Sequence, residues 1–312
     1  MNKIKTIFIG SGEFAVPVLQ KLREIDFIDL AAVVTQPDKP VGRKQELTPT
    51  PVGEFVKTQN SEFEILKPIK IRQISEELLE KFQPELIIVA AYGQIIPNNI
   101  IDSPKYSCLN IHGSLLPLLR GAVPVPMAIL QGFTETGVTI QKMAEKMDEG
   151  DVVTSYGLLV ASDETTETLM SRLSQLAVDH LEEDLRSWTE GKIQAVEQDH
   201  SKATYCYKDD ISKDKAEITF ETDAKLAERM VRAFYPWPVA WVKLKDGKVL
   251  KIFHAKVCGL RSMVNDSLDK IKIEREGKSL FLNLRNGSLE LLEVQLEGKQ
   301  RRSASDYLFL AE

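Results

Sequence analysis

Six consecutive apolar residues, Leu86-Ile-Ile-Val-Ala-Ala91, leave this chain little choice of architecture. A half-exposed strand alternates apolar with polar residues. A run with no polar residue must be covered on both faces, as happens in the middle of a parallel sheet. The start of the chain agrees. Residues 4–9 form another apolar run closed by Gly10-Ser11-Gly12, then Phe14, Val18, Leu19 and Leu22 recur at helical spacing, and residues 30–34 read as a second strand. Strand, helix and strand in that order predict a parallel sheet with helical crossovers.

The same reading predicts helices at 52–56, around Leu78, Leu79 and Phe82, and at 125–130, with strands at 137–143 and 152–160. A long helix carries Leu169, Leu173, Leu176, His180 and Leu181 on one face and ends near Gly191; His180 on that stripe is expected to pack rather than to react. An α/β catalytic domain is therefore expected over residues 1–189. Residues 190–207 show little periodicity and are expected to be a linker. From Lys208 the style changes: one helix at 224–234, then Pro236-Trp237-Pro238, then short alternating segments with Asp246-Gly247 and Asn286-Gly287 turns. That pattern predicts a small antiparallel β-barrel domain over 208–312.

Charge adds a constraint on partners. The 312-residue chain has a net charge of −6, which argues against a general nucleic-acid coat protein. The charge is uneven, however. Residues 208–312 carry 20 Lys and Arg against 17 Asp and Glu, about +3, whereas residues 1–207 carry 20 against 29, about −9. A basic tail on an acidic body leaves room for a localised polyanion contact; random drift in surface charge is the other reading. Three unpaired cysteines, Cys108, Cys206 and Cys258, fit a reducing compartment, and no apolar run is long enough to span a membrane. A cytoplasmic monomer is expected, with no bound metal, because the histidines are scattered.

Chemistry concentrates at residues 107–120. Cys108, Leu109 and Ile111 suggest a strand, and alternation puts Asn110 and His112 on the same face. Gly113 follows, where a strand ends and the backbone turns. A neutral amide donor and an imidazole thus stand side by side at a strand end, which is where open α/β sheets bind ligands. The pairing suits acyl-type transfer, the amide steadying a developing oxyanion and the imidazole managing a proton. An acidic turn, Met147-Asp148-Glu149-Gly150-Asp151, could supply a carboxylate, although Asp-x-Gly is also common in ordinary turns.

Three further features admit two readings each. Gly10, Gly12 and Ala15 match a dinucleotide fingerprint, but the acid at the right distance, Asp38, sits between Pro37 and Pro40; a glycine turn that lets strand and helix pack closely is the favoured reading. Residues 37–51 form a loop by composition, with four prolines, Gly42, Lys39, Arg43 and Lys44. It could reach a phosphate backbone or be a solvated excursion. Tyr92-Gly93-Gln94-Ile95-Ile96-Pro97, just past the central strand, suggests a pocket wall or a tight turn with a buried aromatic.

Asn110-Ile111-His112-Gly113-Ser114-Leu115-Leu116-Pro117, then Arg120-Gly121, then Asp148 in a Met-Asp-x-Gly-Asp turn, resembles the folate-dependent formyltransferases. The likeness extends through Thr35-Gln36-Pro37-Asp38, Gly42-Arg43, Ala90-Ala91-Tyr92-Gly93, Thr136-Gly137-Val138-Thr139 and Arg232-Ala233-Phe234-x-Pro236-Trp237-Pro238, and points to the branch that formylates methionine carried on initiator tRNA. The resemblance implies a Rossmann-like domain, a C-terminal oligonucleotide-binding-type (OB) barrel, 10-formyltetrahydrofolate as donor and initiator Met-tRNA as acceptor. It implies Asn110, His112 and Asp148 as the catalytic set, and the pterin near Tyr92, Gly93, Gln94, Ile95 and Ile96 and near Ser114, Leu115, Leu116 and Pro117. It assigns Lys39, Arg43 and Lys44 to the acceptor end of the tRNA. Sibling enzymes acting on sugar-nucleotide amines or on glycinamide ribonucleotide would keep the same catalytic set. A dinucleotide-dependent oxidoreductase or a non-catalytic RNA-binding module accounts for less of the pattern.

Overall fold

The structure, a computed structural model, describes residues 3–42, 44–58, 63–259 and 271–311. The chain forms two compact units: Met1–Ala122, Glu135–Leu159 and Met170–Tyr205 in the first, and Val123–Thr134, Val160–Leu169 and Cys206–Glu312 in the second. Residues 190–205, expected as linker, are thus part of the first unit.

In chain order the first stretch is β1 (Ile4–Gly10), α1 (Ala15–Glu24), β2 (Ile28–Val34), β3 (Lys39–Val41), β4 (Glu46–Thr48), α2 (Pro51–Lys57), β5 (Glu64–Leu66), α3 (Ser75–Phe82), β6 (Leu86–Ala90), α4 (Asn98–Asp102), β7 (Cys108–His112) and β8 (Arg120–Gly121). Then follow α5 (Pro124–Leu130), β9 (Glu135–Lys142), β10 (Val152–Leu159), α6 (Thr166–Thr189) and β11 (Tyr205–Cys206). The first unit is built on a seven-stranded sheet of order β10-β9-β7-β6-β1-β2-β5. Strands β5, β2, β1, β6 and β7 run parallel, while β9 and β10 are antiparallel additions at one edge.

Five of the six apolar residues at 86–91 form β6 and all five are buried; Ala91 turns out of the sheet, exposed, with φ +44°. Ile7, Ile9, Ile87 and Val89 join Leu78 and Phe82 of α3 and Ile100 of α4 in one core cluster. Phe8, Ile88 and Leu109, at alternate strand positions, are also fully buried, so both faces of the sheet are covered. Each such aliphatic side chain contributes roughly 1.5–3 kcal/mol on burial. Along α6, Leu173, Ala177, Leu181 and Leu185 are buried at four-residue intervals, and His180 packs flat on the Tyr156 ring at 3.7 Å. A Cβ added to Gly10 would lie 2.7 Å from the Phe8 ring and 2.8 Å from the Ala90 carbonyl oxygen, so a close approach of neighbouring strands requires that glycine. Asp38 is engaged by Lys67 Nζ at 2.5 Å, and that bond is the main reason its carboxyl lies below the usual range.

The loop expected over 37–51 holds a small hairpin, with β3 antiparallel to β4. The strands have three exposed residues each and include Pro40, a combination with no periodic signature.

The second unit contains α5, α7 (Ala224–Ala233), β12 (Trp241–Lys243), β13 (Val249–Cys258), β14 (Lys272–Glu276), β15 (Ser279–Leu284), β16 (Gly287–Leu296) and β17 (Arg302–Ser303). Its antiparallel sheet has the order β12-β13-β16-β15-β14, with β17 pairing on β16. The β13–β16 register shifts on either side of His254, an irregularity of the kind that curls an antiparallel sheet. Asp223 caps α7 by accepting from the Lys225 and Leu226 amides, and Val231, Phe234, Leu250, Ile252, Leu282 and Leu291 share one core cluster. Val123, Met127 and Leu130, in and beside α5, pack against that core. Among the described residues no helix is long and apolar enough to cross a membrane.

Candidate active site

Strand β7 presents Asn110 and His112 on one face, and the β9–β10 turn brings a carboxylate to them. Asn110 Nδ2 donates to Asp148 Oδ1 at 3.3 Å, and His112 Nδ1 lies 3.6 Å from Asp148 Oδ2. The Gly121 amide donates to Asp148 Oδ2 at 2.7 Å, and Gln141 Nε2 donates to Oδ1 at 2.8 Å. His112 is 6% exposed and Asp148 11%. The other imidazole nitrogen, Nε2, is 2.9 Å from the Leu119 carbonyl oxygen. A carbonyl can only accept, so Nε2 carries the hydrogen and Nδ1 is the nitrogen left to exchange a proton beside Asp148.

The turn that carries Asp148 is conformationally demanding. Asp148 has φ +55°, in the left-handed region, which costs a residue with a Cβ about 1–3 kcal/mol. Two positions later, a Cβ on Gly150 would lie 1.8 Å from the Lys142 carbonyl oxygen, so only glycine fits. The acidic turn is therefore more than a polar connection: its backbone is bent to aim one carboxylate at β7.

Residues 114–117 leave the sheet just after His112. Thr139 of β9, fully buried, pins them: its Oγ1 accepts from the Leu116 amide at 3.1 Å and donates to the Ser114 carbonyl at 2.8 Å. Ser114 Oγ donates to the Leu118 carbonyl at 2.6 Å. Strand β6 ends with Ala90 opposite Ile111 of β7, so residues 92–96 leave the sheet beside the same strand end. There Tyr92 and Ile96 are buried, Gly93 has φ +77°, and Ile95 is 90% exposed. Gln94 bonds to the main chain of Ile69 and Ile71. The Tyr92 hydroxyl is buried without a hydrogen-bond partner among the described residues, and desolvation pushes its pKa up to about 12.

Asn110, His112 and Asp148 are thus brought together, with the two proposed pterin segments at adjoining strand ends. Lys39 and Lys44 lie on the exposed β3–β4 hairpin; Lys39 Nζ donates to Gln36 Oε1 at 2.6 Å, and Gln36 Nε2 donates to the Tyr92 carbonyl at 2.5 Å. Arg43 lies outside the described residues. Sequence reasoning missed Gln141, which the alternating strand pattern marks only as one polar residue among several. It also missed the surroundings of Arg120. This side chain is fully buried, with Gln198, Tyr205, His200 and Glu149 around its guanidinium.

A mostly parallel sheet with an amide and an imidazole at one strand end, a carboxylate turned onto them, and a small antiparallel β-unit after it is an arrangement suited to group transfer. The chain belongs to the formyl transferase family: residues 2–185 match the formyl transferase domain and residues 210–309 the formyl transferase C-terminal domain. It is 38% identical over 308 residues to the methionyl-tRNA formyltransferase of Bacillus cytotoxicus, covering 98% of this chain and 95% of that protein. It is likewise 38% identical over 307 residues to that of Bacillus thuringiensis subsp. konkukian, with the same coverage. Among solved structures, the N-formyltransferase from Helicobacter canadensis, in complex with folinic acid and dTDP-3-aminofucose, shares the fold at TM-score 0.67 and 16% identity, covering 92% of this chain and 98% of that one. HypX from Aquifex aeolicus, in complex with tetrahydrofolic acid, does so at TM-score 0.62 and 17% identity, covering 98% of this chain and 47% of that one.

Proposed function

We propose that this chain transfers a formyl group from 10-formyltetrahydrofolate to the α-amino group of methionine on initiator Met-tRNA, in the cytoplasm and as a monomer. The observation that carries this reading is the Asp148 carboxylate, which meets both Asn110 and His112 at the end of β7. Kinship with methionyl-tRNA formyltransferases over nearly the whole chain supports the choice of acceptor.

The folate co-substrate supplies a carbon at the formyl oxidation level, attached to nitrogen. The residues fit such a group. Exposed Ile95 offers an apolar surface for a flat heterocycle, and the unpartnered Tyr92 hydroxyl is a polar atom that a ligand would satisfy. Tyr92 to Ile96 and Ser114 to Pro117 are proposed to hold the pterin. Asn110 Nδ2 has two hydrogens; one goes to Asp148, and the other is proposed to donate to the formyl oxygen as charge develops there. His112 Nδ1 and Asp148 are proposed to take the proton released by the attacking amine and return one to the departing nitrogen. Lys39, Arg43 and Lys44 are proposed to meet the acceptor end of the tRNA, and residues 208–312 its backbone, while residues 1–189 carry the chemistry.

The deciding assay supplies labelled 10-formyltetrahydrofolate with charged initiator tRNA, a sugar-nucleotide amine and glycinamide ribonucleotide in parallel. Label is expected on the tRNA-borne methionine. Label on a small-molecule amine, with none on the tRNA, would overturn the reading.

A further inference from the structure

Gln198 lies between α6 and β11, is 6% exposed, and has no part in the chemistry above. Its amide is held from both ends. Oε1 accepts from Arg120 Nε at 3.1 Å and Nη2 at 2.8 Å. Nε2 donates to the main-chain oxygen of Asp148 at 2.9 Å and to that of Gly150 at 2.6 Å, with Gln141 Oε1 at 3.4 Å. Chemistry permits one orientation. A guanidinium only donates and a peptide carbonyl only accepts, so the amide oxygen must face Arg120 and the nitrogen must face the turn.

The anchor behind Gln198 is firm. Arg120 is fully buried and also donates to Tyr205 Oη at 3.1 Å and meets His200 Nδ1 at 3.0 Å, with Glu149 Oε1 at 3.5 Å. The two carbonyls that Gln198 holds flank Glu149, and one belongs to Asp148 itself, the residue in the left-handed conformation. Gln141 also donates to the Asp148 carboxylate, so one amide network touches both the main chain and the side chain of that residue.

We propose that Gln198 is a positioning residue for formyl transfer, holding the Asp148–Gly150 main chain so that the Asp148 carboxylate stays on Asn110 and His112. This inference rests on the formyl-transfer reading of the site. The role demands an amide. Glutamate at this position keeps the bond to Arg120 but turns an oxygen on two carbonyl oxygens. Methionine fills the space and donates nothing.

The test is steady-state kinetics on the full-length parent, Gln198→Glu and Gln198→Met, each assayed below its own melting transition. A parent that fails to formylate charged initiator tRNA removes the functional reading, whatever the variants do. With an active parent, kcat is expected to fall by about 10–100-fold in both variants while KM for each substrate stays within about twofold. A kcat within about twofold of the parent, or a raised KM at unchanged kcat, overturns the proposal. A crystal structure of Gln198→Glu supplies a readout independent of turnover. The Asp148 carboxylate is expected to have moved from His112 by about 1 Å or more, enough to impair a reacting geometry, and an unmoved turn overturns the proposal.

Discussion

Leu119 decides which nitrogen of His112 is available for the proposed proton transfer. Its carbonyl occupies Nε2, so proton exchange is left to Nδ1, on the side where Asp148 waits. Asn110 is proposed to have a separate task, donating to the formyl oxygen, and its loss should show separately. Asn110→Ala is expected to lower kcat on the order of 10²–10³-fold, the usual effect of removing one oxyanion donor, with the melting temperature nearly unchanged. Steady-state formylation checks this, and near-normal turnover would remove Asn110 from the chemistry. At this scale the sequence was legible where a period exists. Asn110 and His112 declare themselves because strand alternation places them together. Asp148 came into view through an acidic turn and a family likeness. Gln198 and Gln141 were not visible, because an amide that bonds to a residue 50 or 7 positions away leaves no local pattern.

The β9–β10 turn and its supports belong to the scale of elements. Gly150→Ala would drive a methyl group into the Lys142 carbonyl and is expected to destabilise the first unit by about 1–3 kcal/mol, read as a lower melting temperature. Helix α6 and strand β10 share a buried polar cluster. Asp184 accepts from Tyr156 Oη at 2.7 Å and Thr154 Oγ1 at 3.1 Å, while burial raises its pKa above the usual aspartate value. In the window above the unfolded value of 3.8, the folded state holds the proton longer than the unfolded state does, so stability from this group falls as pH rises through it. Asp184→Asn removes that dependence. Its melting temperature relative to the parent is expected to increase between about pH 4 and pH 7.5, and a difference that does not change with pH would contradict the assignment. Most elements were legible: β6 from its unbroken apolar run, α6 from its stripe. The β3–β4 hairpin was not, since two exposed three-residue strands, one of them holding Pro40, are too short to show a period.

For the whole molecule, charge and chain path matter most. With about +3 on residues 208–312 and about −9 before them, polyanion binding should be local and sensitive to salt. The KM for tRNA is expected to rise on the order of tenfold between roughly 50 and 200 mM salt, with the KM for 10-formyltetrahydrofolate much less affected; a tRNA KM that does not respond to salt would count against phosphate contacts. The chain path bears on dissection. Composition suggested a cut near residue 207, yet the second unit includes residues 123–134 and 160–169, and Val123, Met127 and Leu130 pack on its core. A chain ending at residue 207 would expose those side chains and is expected to aggregate during purification, as seen by size-exclusion chromatography. Such a division cannot be read from composition, which is blind to segments that leave one unit and return.

The buried guanidinium of Arg120 has a consequence for how the enzyme comes into being. Its acceptors come from residues 149, 198, 200 and 205, all made after it, and the last of them well after His112 and Asp148. A nascent polypeptide halted at the end of α6 already contains Asn110, His112 and Asp148, yet it lacks Gln198, His200 and Tyr205, three of the four residues that surround the Arg120 guanidinium. If Gln198 positions Asp148 as proposed, a chain that ends at α6 is expected to formylate poorly, because the support of the Asp148–Gly150 main chain has yet to be made.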